Sequence, residues 1–383
     1  MKFLHLSDLH LGKRLHEASL IEDQAFILDQ ILSIVKEEEP HAVLIAGDVY
    51  DKSMPTEEAV RLLNGFLSSL QQLSIPVLMI SGNHDSQERL GFGAQLMRSG
   101  GVYVAGTYQP DAAPVTLEDE FGPVDVHLLP FVKAVHVRQH FPEENIRTVQ
   151  QAVACAIRHL PVQYDRRSVL MAHQFVIGGK PGGSEDFVLD YLSVGGTDQV
   201  DKALFDGFHY VALGHLHNPH HVGDPRIRYC GTPLKYSFDE ARFAKSVTLA
   251  ELDGDGDVTI STSPLHPLRD MQDLRGTFEE LTSPAFLARC DIEAYTRITL
   301  TDEDDVPNAG SRLHFHYPRL LSIRIDNQRT RAAEPLLTSP QNQHRTPEAL
   351  VAEFFELQNG APMSAAQSEY ILQILEAIRE EQA

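Results

Sequence analysis

The chain is expected to be an α/β protein whose first sheet is mainly parallel and whose second sheet is more antiparallel. Three patterns carry this expectation. Short aliphatic runs alternate with helix-period segments through the first hundred residues, each run ends on a Gly, Asp, Asn or His turn, and from about residue 115 the runs pair across tight turns. Lys2–Leu6 reads as a strand that ends at Ser7-Asp8. Leu28, Ile31, Leu32 and Val35 mark one face of the helix that follows. Ala42–Ala46 is the second strand, ending at Gly47-Asp48. Pro55-Thr56 opens a helix with Val60, Leu63, Leu67 and Leu70 on one side, and Pro76–Ile80 is the third strand, ending at Ser81-Gly82-Asn83-His84-Asp85. Val115–Leu117 and Val124–Leu129 form a hairpin, and Thr148–His159 is a helix. Ser168–Ala172 leads into His173, and His209–Leu213 leads into Gly214-His215-Leu216-His217. Ser246–Leu252 and Val258–Ser263 make another hairpin around Asp253–Asp257, assigned here to the second sheet. Leu274–Phe286 and a strand-like Thr296–Leu300 follow. After them come an acidic run, an Arg-rich stretch, a polar linker near Ala332–Arg345 and two amphipathic helices.

Composition narrows the function classes. The 383 residues include 32 Lys+Arg and 54 Asp+Glu, a net charge of −22, with 42% apolar and 22% charged residues. That composition excludes wholesale disorder, and the charge argues against a simple basic DNA-binding module. A nuclease whose site is neutralised by cations is still allowed. Three scattered cysteines without metal spacing suit a reducing compartment. Without an apolar run long enough to span a membrane, or a signal-like start, the chain is expected to be cytoplasmic.

Asp8 and His10, Asp48, Asn83 and His84, His173, and His215 with His217 form an ordered series, each group just after an expected strand. Alone, each reads equally well as a turn or a hydrogen-bonded histidine. Together they place two carboxylates, an amide oxygen and several imidazoles at strand ends, where open α/β sheets bind ligands. This donor set suits two divalent cations sharing a carboxylate such as Asp48. Other motifs fail: Asp253–Asp257 lacks the Gly and Glu of a calcium loop, and Gly178-Gly179-Lys180-Pro181 lacks the Ser/Thr of a phosphate loop. His314-Phe315-His316 reads as two surface histidines on one face of a strand.

At these residues the sequence resembles the calcineurin-like metallophosphoesterases. Within them it is similar to the nuclease subunits of bacterial DNA-end-processing complexes, through Met1–Gly12, Ala46–Asp51, Ser81–Asp85, Ala172–Phe175, Ala212–His217, and Tyr229–Glu240 with Lys245. The resemblance implies a two-sheet sandwich flanked by helices over 1–265, a small α+β capping domain over 266–335 that contacts DNA, and a linker with a C-terminal helical pair over 336–383. One metal would take Asp8, His10, Asp48 and His217, and the other Asp48, Asn83, His173 and His215, with Mn²⁺ as the expected ion. His84 corresponds to a catalytic histidine that need not ligate. Asp85 is a candidate to orient it, and Asp51 stands where some relatives carry a second histidine.

The implied activity is 3′→5′ exonuclease cutting of duplex ends and endonuclease cutting of hairpins and single strands. It would be gated by an SMC-like ATPase partner in a homodimer-based heterotetramer at the nucleoid. Dimer contacts would lie near Thr56–Leu73 and Arg89–Ser99. Arg312, Arg319, Arg324, Arg329 and Arg331, with one acid among them, are candidate phosphate contacts. The C-terminal helices, opened by Thr346-Pro347-Glu348 and by a Ser364–Gln367 capping box, carry Leu350, Val351, Phe354, Phe355, Ile371, Ile374, Leu375 and Ile378 as the expected dock for the ATPase. The competing reading is a small-molecule phosphodiesterase or phosphatase on the same core. Lys52 after Asp51, where Ser/Thr phosphatases place Arg, speaks against the phosphatase.

Overall fold

In the strand Ala42–Ala46 all five residues are buried, and their alternation divides the protein into layers. Ala42, Leu44 and Ala46 face Val126, Val169, Met171, Tyr210 and Ala212 of a second sheet. Val43 and Ile45 point the other way, into a cluster with Leu28, Ile31 and Phe66 of two covering helices. The second sheet behaves likewise, with Leu170, Ala172, Val211 and Leu213 packing against Val153 and Ala156 of the helix Val149–Arg158. The result is a two-sheet sandwich with helices on both outer faces. This computed structural model describes residues 1–163, 165–178, 198–328 and 330, and, in the C-terminal segment, 351–352, 354–356, 362–364, 366–372 and 374.

The first sheet runs in the order Val258–Leu265, Lys245–Leu252, Lys2–Leu6, Ala42–Ala46, Val77–Ile80, Val102–Ala105. The second runs His220–Val222, Asp224–Tyr229, Tyr210–Gly214, Arg167–His173, Gly122–Leu129, Val115–Asp119. Each has three parallel and two antiparallel pairings, so the second sheet is not the more antiparallel one. The expected 246–263 hairpin exists but belongs to the first sheet, where Lys245–Leu252 pairs with Lys2–Leu6. The reason is backbone satisfaction: Lys2–Leu6 is central and buried, and without this hairpin one edge of it would have unpaired peptide groups. Turn residues define a hairpin but do not say which edge it will cover.

The helix Ile21–Glu38 has Glu22 and Asp23 in its first turn and Lys36 in its last, which suits its dipole. It buries Ile27, Leu28, Ile31, Ile34 and Val35, while Leu32 is only half-buried. Thr56 caps Glu57–Gln72 by accepting from the Ala59 amide. The buried stripe there is Ala59, Leu63, Phe66 and Leu70, so the expected Val60 turns outward and is 44% exposed.

A second core of Phe278, Leu281, Ile298, Leu300, Leu313, Tyr317 and Leu320 organises the following region. Its three strands, Met271–Gly276, Tyr295–Leu300 and Leu320–Ile325, are all parallel. His314 and His316 lie on the helix Ala309–His316 instead of a strand, because Leu313 and Tyr317 bury one side at helical spacing. Their i, i+2 separation therefore splays them apart. Farther on, Ser364 and Gln367 form the expected capping box, with the Gln367 amide donating to Ser364 Oγ and the Ser364 amide to Gln367 Oε1. The linker 332–345, the opening Thr346-Pro347-Glu348, Leu350, Leu375, Ile378 and most of the Gly178–Pro181 loop lie outside the described residues.

Candidate metal centre

Parallel strands end on one side, and here both sheets bring those ends to the same edge of the sandwich. Beyond the strands, the loops starting at Ser7 and Gly47 continue side by side: the Asp8, His10 and Leu11 amides donate to the carbonyls of Gly47, Asp48 and Val49 at 3.0, 2.9 and 2.9 Å. Of the eight non-glycine residues with positive φ among the described residues, four are Asp8, His10, Asp48 and His215. Such backbone is costly for side chains with a Cβ and persists only where surrounding structure over-determines it. Two glycines let the sheets close on each other. Gly47, at φ +89°, has the His173 ring where a Cβ would stand, and a Cβ on Gly214 would overlap the Ala46 carbonyl oxygen.

The candidate ligands converge at this edge. Nδ1 of His173 donates to the Ala46 carbonyl (2.8 Å), turning Nε2 toward Asn83 Oδ1 (3.0 Å) and Asp48 Oδ2 (3.4 Å). Nδ1 of His215 also approaches Asn83 Oδ1, at 2.9 Å, and the His215 amide donates to both oxygens of Asp8 at 3.1 Å. His10 is 1% exposed, and neither of its ring nitrogens has a hydrogen-bond partner. Its Nε2 lies 3.7 Å from Asp48 Oδ2. His217 places Nδ1 3.1 Å from Glu240 Oε1.

Three groups, Asp8–His10–His217, His10–Asp48–His84 and Asp8–Asp48–His173, each bring ligand atoms within 4.8 Å of one another. Buried orphan imidazole nitrogens and lone pairs converging on one another are expensive unless a cation sits among them, so this donor set fits divalent metal. Electrostatics agree. Burial pushes the Asp8 carboxyl up; at Asp48 burial also pushes up, but His173, His10 and His84 together overcome it and hold the carboxyl well below its usual range. Burial lowers His215 to about 3, aided by the neighbouring His173, which keeps it a neutral donor.

The His84 amide donates to Asp48 Oδ1 (2.8 Å), its Nδ1 donates to the Asp51 carbonyl (3.0 Å), and its ring is exposed, 4.8 Å from the His10 ring centre. Asp85 does not serve as its partner. The Asp85 carboxylate accepts the amides of Val49, Tyr50 and Gly82 at 3.1, 2.9 and 2.9 Å, pinning the Asp48 loop, and burial raises it to about 6. Asp51 uses its side chain on Lys13 Nζ (2.7 Å) and its carbonyl on His84.

Sequence reasoning missed three contributors. Gln24 donates to the carbonyls of Leu9 and His10 and accepts the Gly12 amide; a glutamine on the apolar stripe of its helix was the available signal. Glu240 and Lys245, quoted above without a role, hold His217. The arginines are dispersed. Arg312 lies over the Phe278 ring at 4.0 Å, Arg319 sits 3.5 Å from Glu293, and Arg324 is exposed, while Arg329 and Arg331 lie outside the described residues.

Residues 1–219 match the family model for calcineurin-like phosphoesterases, and the chain belongs to that family. Residues 267–359 match the SbcD_C model, described as the type 5 capsule protein repressor C-terminal domain, and the pairing of the two supports an SbcD-type nuclease. Among solved structures, TT1561 of Thermus thermophilus is similar at 12% identity over 68% of this chain and 98% of that one, with a TM-score of 0.39. A dimetal phosphatase from Danio rerio is similar at 13% identity over 70% and 98%, also at 0.39. By the family match over residues 1–219 the protein is a phosphoesterase, and its converging donors form a site suited to two divalent cations. Among the described residues no helix is long and apolar enough to cross a membrane.

Proposed function

We propose that this chain is the nuclease subunit of an SbcCD-type complex, cutting DNA at a centre that works with Mn²⁺. Asp8, His10, Asp48 and His217 would hold one cation, and Asp48, Asn83, His173 and His215 the other. Bound cations supply Lewis acidity and a water of lowered pKa. The chain's own groups do the remainder. Asp48, between the two ligand sets, ties them together. His84, exposed and fixed by the Asp51 carbonyl through Nδ1, has Nε2 for a proton given to the leaving oxygen.

The observation that carries this reading is the convergence of seven candidate ligands at one edge, with the buried His10 nitrogens orphaned there. DNA as substrate is supported by the match of residues 267–359, a region in which Arg324 is exposed. The proposed activities are ATP-gated 3′→5′ exonuclease and hairpin or single-strand endonuclease cutting, in end processing for repair, recombination and replication at the nucleoid. A labelled hairpin DNA and a chromogenic phosphodiester, each with Mn²⁺ and with chelator, test it. Opening of the hairpin only with Mn²⁺ is expected. Hydrolysis of the small ester with the hairpin intact would make the chain a small-molecule phosphodiesterase.

Two surfaces support the assembly. Met54, just before the helix Glu57–Gln72, and Phe92 and Leu96, in the stretch 89–99, are 70%, 85% and 81% exposed, which suits a homodimer contact. In the C-terminal segment Phe354, Tyr370 and Ile374 are 59%, 65% and 39% exposed, which suits docking on an SbcC-type SMC-like ATPase. Deleting residues from Thr346 onward should abolish ATPase binding and leave Mn²⁺-dependent cutting of single strands. Co-purification of the truncated chain with the ATPase would move the dock elsewhere.

A further inference from the structure

We infer that Glu240 is a positioning residue that fixes His217 for the metal centre, and that the second domain braces Glu240 through Asp239; this rests on the ligand assignment proposed above. Glu240 lies in the short turn Phe238–Glu240 and is 5% exposed. Its Oε1 is 3.1 Å from His217 Nδ1, and its Oε2 is 2.6 Å from Lys245 Nζ and 3.2 Å from Thr232 Oγ1. Lys245 Nζ reaches Thr232 Oγ1 at 2.7 Å and the His217 carbonyl at 3.1 Å. One buried ion pair therefore holds both the ring and the backbone of His217.

A carboxylate accepts but does not donate, so it keeps the imidazole proton on Nδ1. That leaves the lone pair on Nε2, the nitrogen available to the cluster with Asp8 and His10. A buried ion pair of this kind adds little net stability over apolar isosteres, so its retention at 5% exposure for both partners is better accounted for by orientation. The turn itself is gripped from the second domain. Arg297, on the strand Tyr295–Leu300, is anchored by Asp273 at 3.0 and 2.6 Å, contacts Asp239 Oδ1 at 3.2 Å and lies 5.1 Å from the centre of the Phe238 ring. The two residues preceding Glu240 thus connect a separate core to a candidate metal ligand.

The test uses the full chain. Glu240→Gln alone leaves Lys245 buried and uncompensated and risks misfolding, so it is paired with the double variant E240M/K245M, which removes both charges at similar volume. Mn²⁺ titration calorimetry on metal-free protein should show one of two binding steps weakened ten- to a hundredfold in the double variant, with the other step unchanged. At a pH alkaline enough to leave the ring neutral, imidazole ¹⁵N resonances should place the metal-free wild-type His217 in the Nδ1–H tautomer and show a mixture in the variant. Asp239→Ala should weaken the same step by about two- to fivefold, less than the double variant because the Arg297 contact is partly exposed. A folded E240M/K245M that binds two Mn²⁺ with wild-type affinity and tautomer would overturn the positioning role. Asp239→Ala at wild-type affinity, with the double variant weakened, would overturn the bracing. Failure of the wild type to bind two Mn²⁺ would instead overturn the ligand assignment itself.

Discussion

The sheet centred on Lys2–Leu6 brings Asp8, His10, Asp48 and Asn83 to the candidate metal centre, whereas the sheet centred on Tyr210–Gly214 brings His173, His215 and His217. The two are held differently. In the first set, Asp8, His10 and Asp48 are locked by their own backbone, with positive φ, paired loops, and the Asp85 carboxylate gathering three amides. In the second set, where His215 alone has positive φ, the histidines are oriented by groups outside their own strands: His173 by the Ala46 carbonyl, His215 by Asp8 and Asn83, His217 by Glu240. The anionic half is thus a preformed frame, and the imidazole half is mounted partly on that frame. Damage to the frame should reach both cations, while damage to one histidine should stay local.

The largest effect is expected at the centre of the frame. Asp48→Asn should abolish cutting and both Mn²⁺ equivalents together, because the remaining imidazoles do not neutralise two dications. Calorimetry that still finds two cations at wild-type affinity would remove Asp48 from the shared position. Next, His84→Gln should keep both cations and DNA binding while kcat falls roughly 10²–10⁴-fold, the range of general acid–base assistance. Loss of one metal equivalent would turn His84 from a proton donor into a ligand.

The smallest effect on the site should come from the far rim of the sandwich, where Asp119 pairs with Arg167. Asp119→Asn should cost roughly 2–3 kcal/mol of stability, less than a fully buried orphaned charge because the pair lies at the rim, with Mn²⁺ affinity unchanged. Arg167 holds the Asp119 carboxyl below its ordinary range. Its stabilisation should therefore be fully present above about pH 4 and fade as pH falls below the unfolded carboxyl value. Chemical denaturation at neutral and acid pH checks this: the gap between wild type and variant should narrow in acid. A constant gap would mean the pair is not what holds that rim.

The positions gathered at the sheet ends were legible because each follows a strand within a local turn motif, and turn chemistry is a short-range property. The layering was legible too, since Ala42–Ala46 is uniformly apolar and bounded by turns. What the sequence hid was long-range. The 245–265 hairpin joins an edge more than two hundred residues earlier in the chain, and Asp224–Tyr229, a polar-looking strand, enters the sheet by lying parallel to Tyr210–Gly214 on one side while pairing locally with His220–Val222 on the other. Glu240 meets His217 across 23 residues of sequence, and no periodicity records such a contact. Asp85 was misread for the opposite reason: adjacency to His84 suggested a partnership, but the backbone directs its carboxylate onto the neighbouring loop.

At Gly214 the second sheet lies against the Ala46 carbonyl of the first, and at Gly47 the first lies against the His173 ring of the second. Main chain abutting main chain at Gly214, and the His173 ring at Gly47, leaves nothing there that substitution can gradually enlarge. The separation of the two ligand sets is therefore fixed by peptide geometry, so adaptation of this scaffold to a new substrate would have to leave that separation alone. Heritable change in which phosphoester the protein takes would accumulate instead in the segments that follow the candidate ligands in sequence, residues 51–56, 86–98 and 218–244, and in the region beyond them.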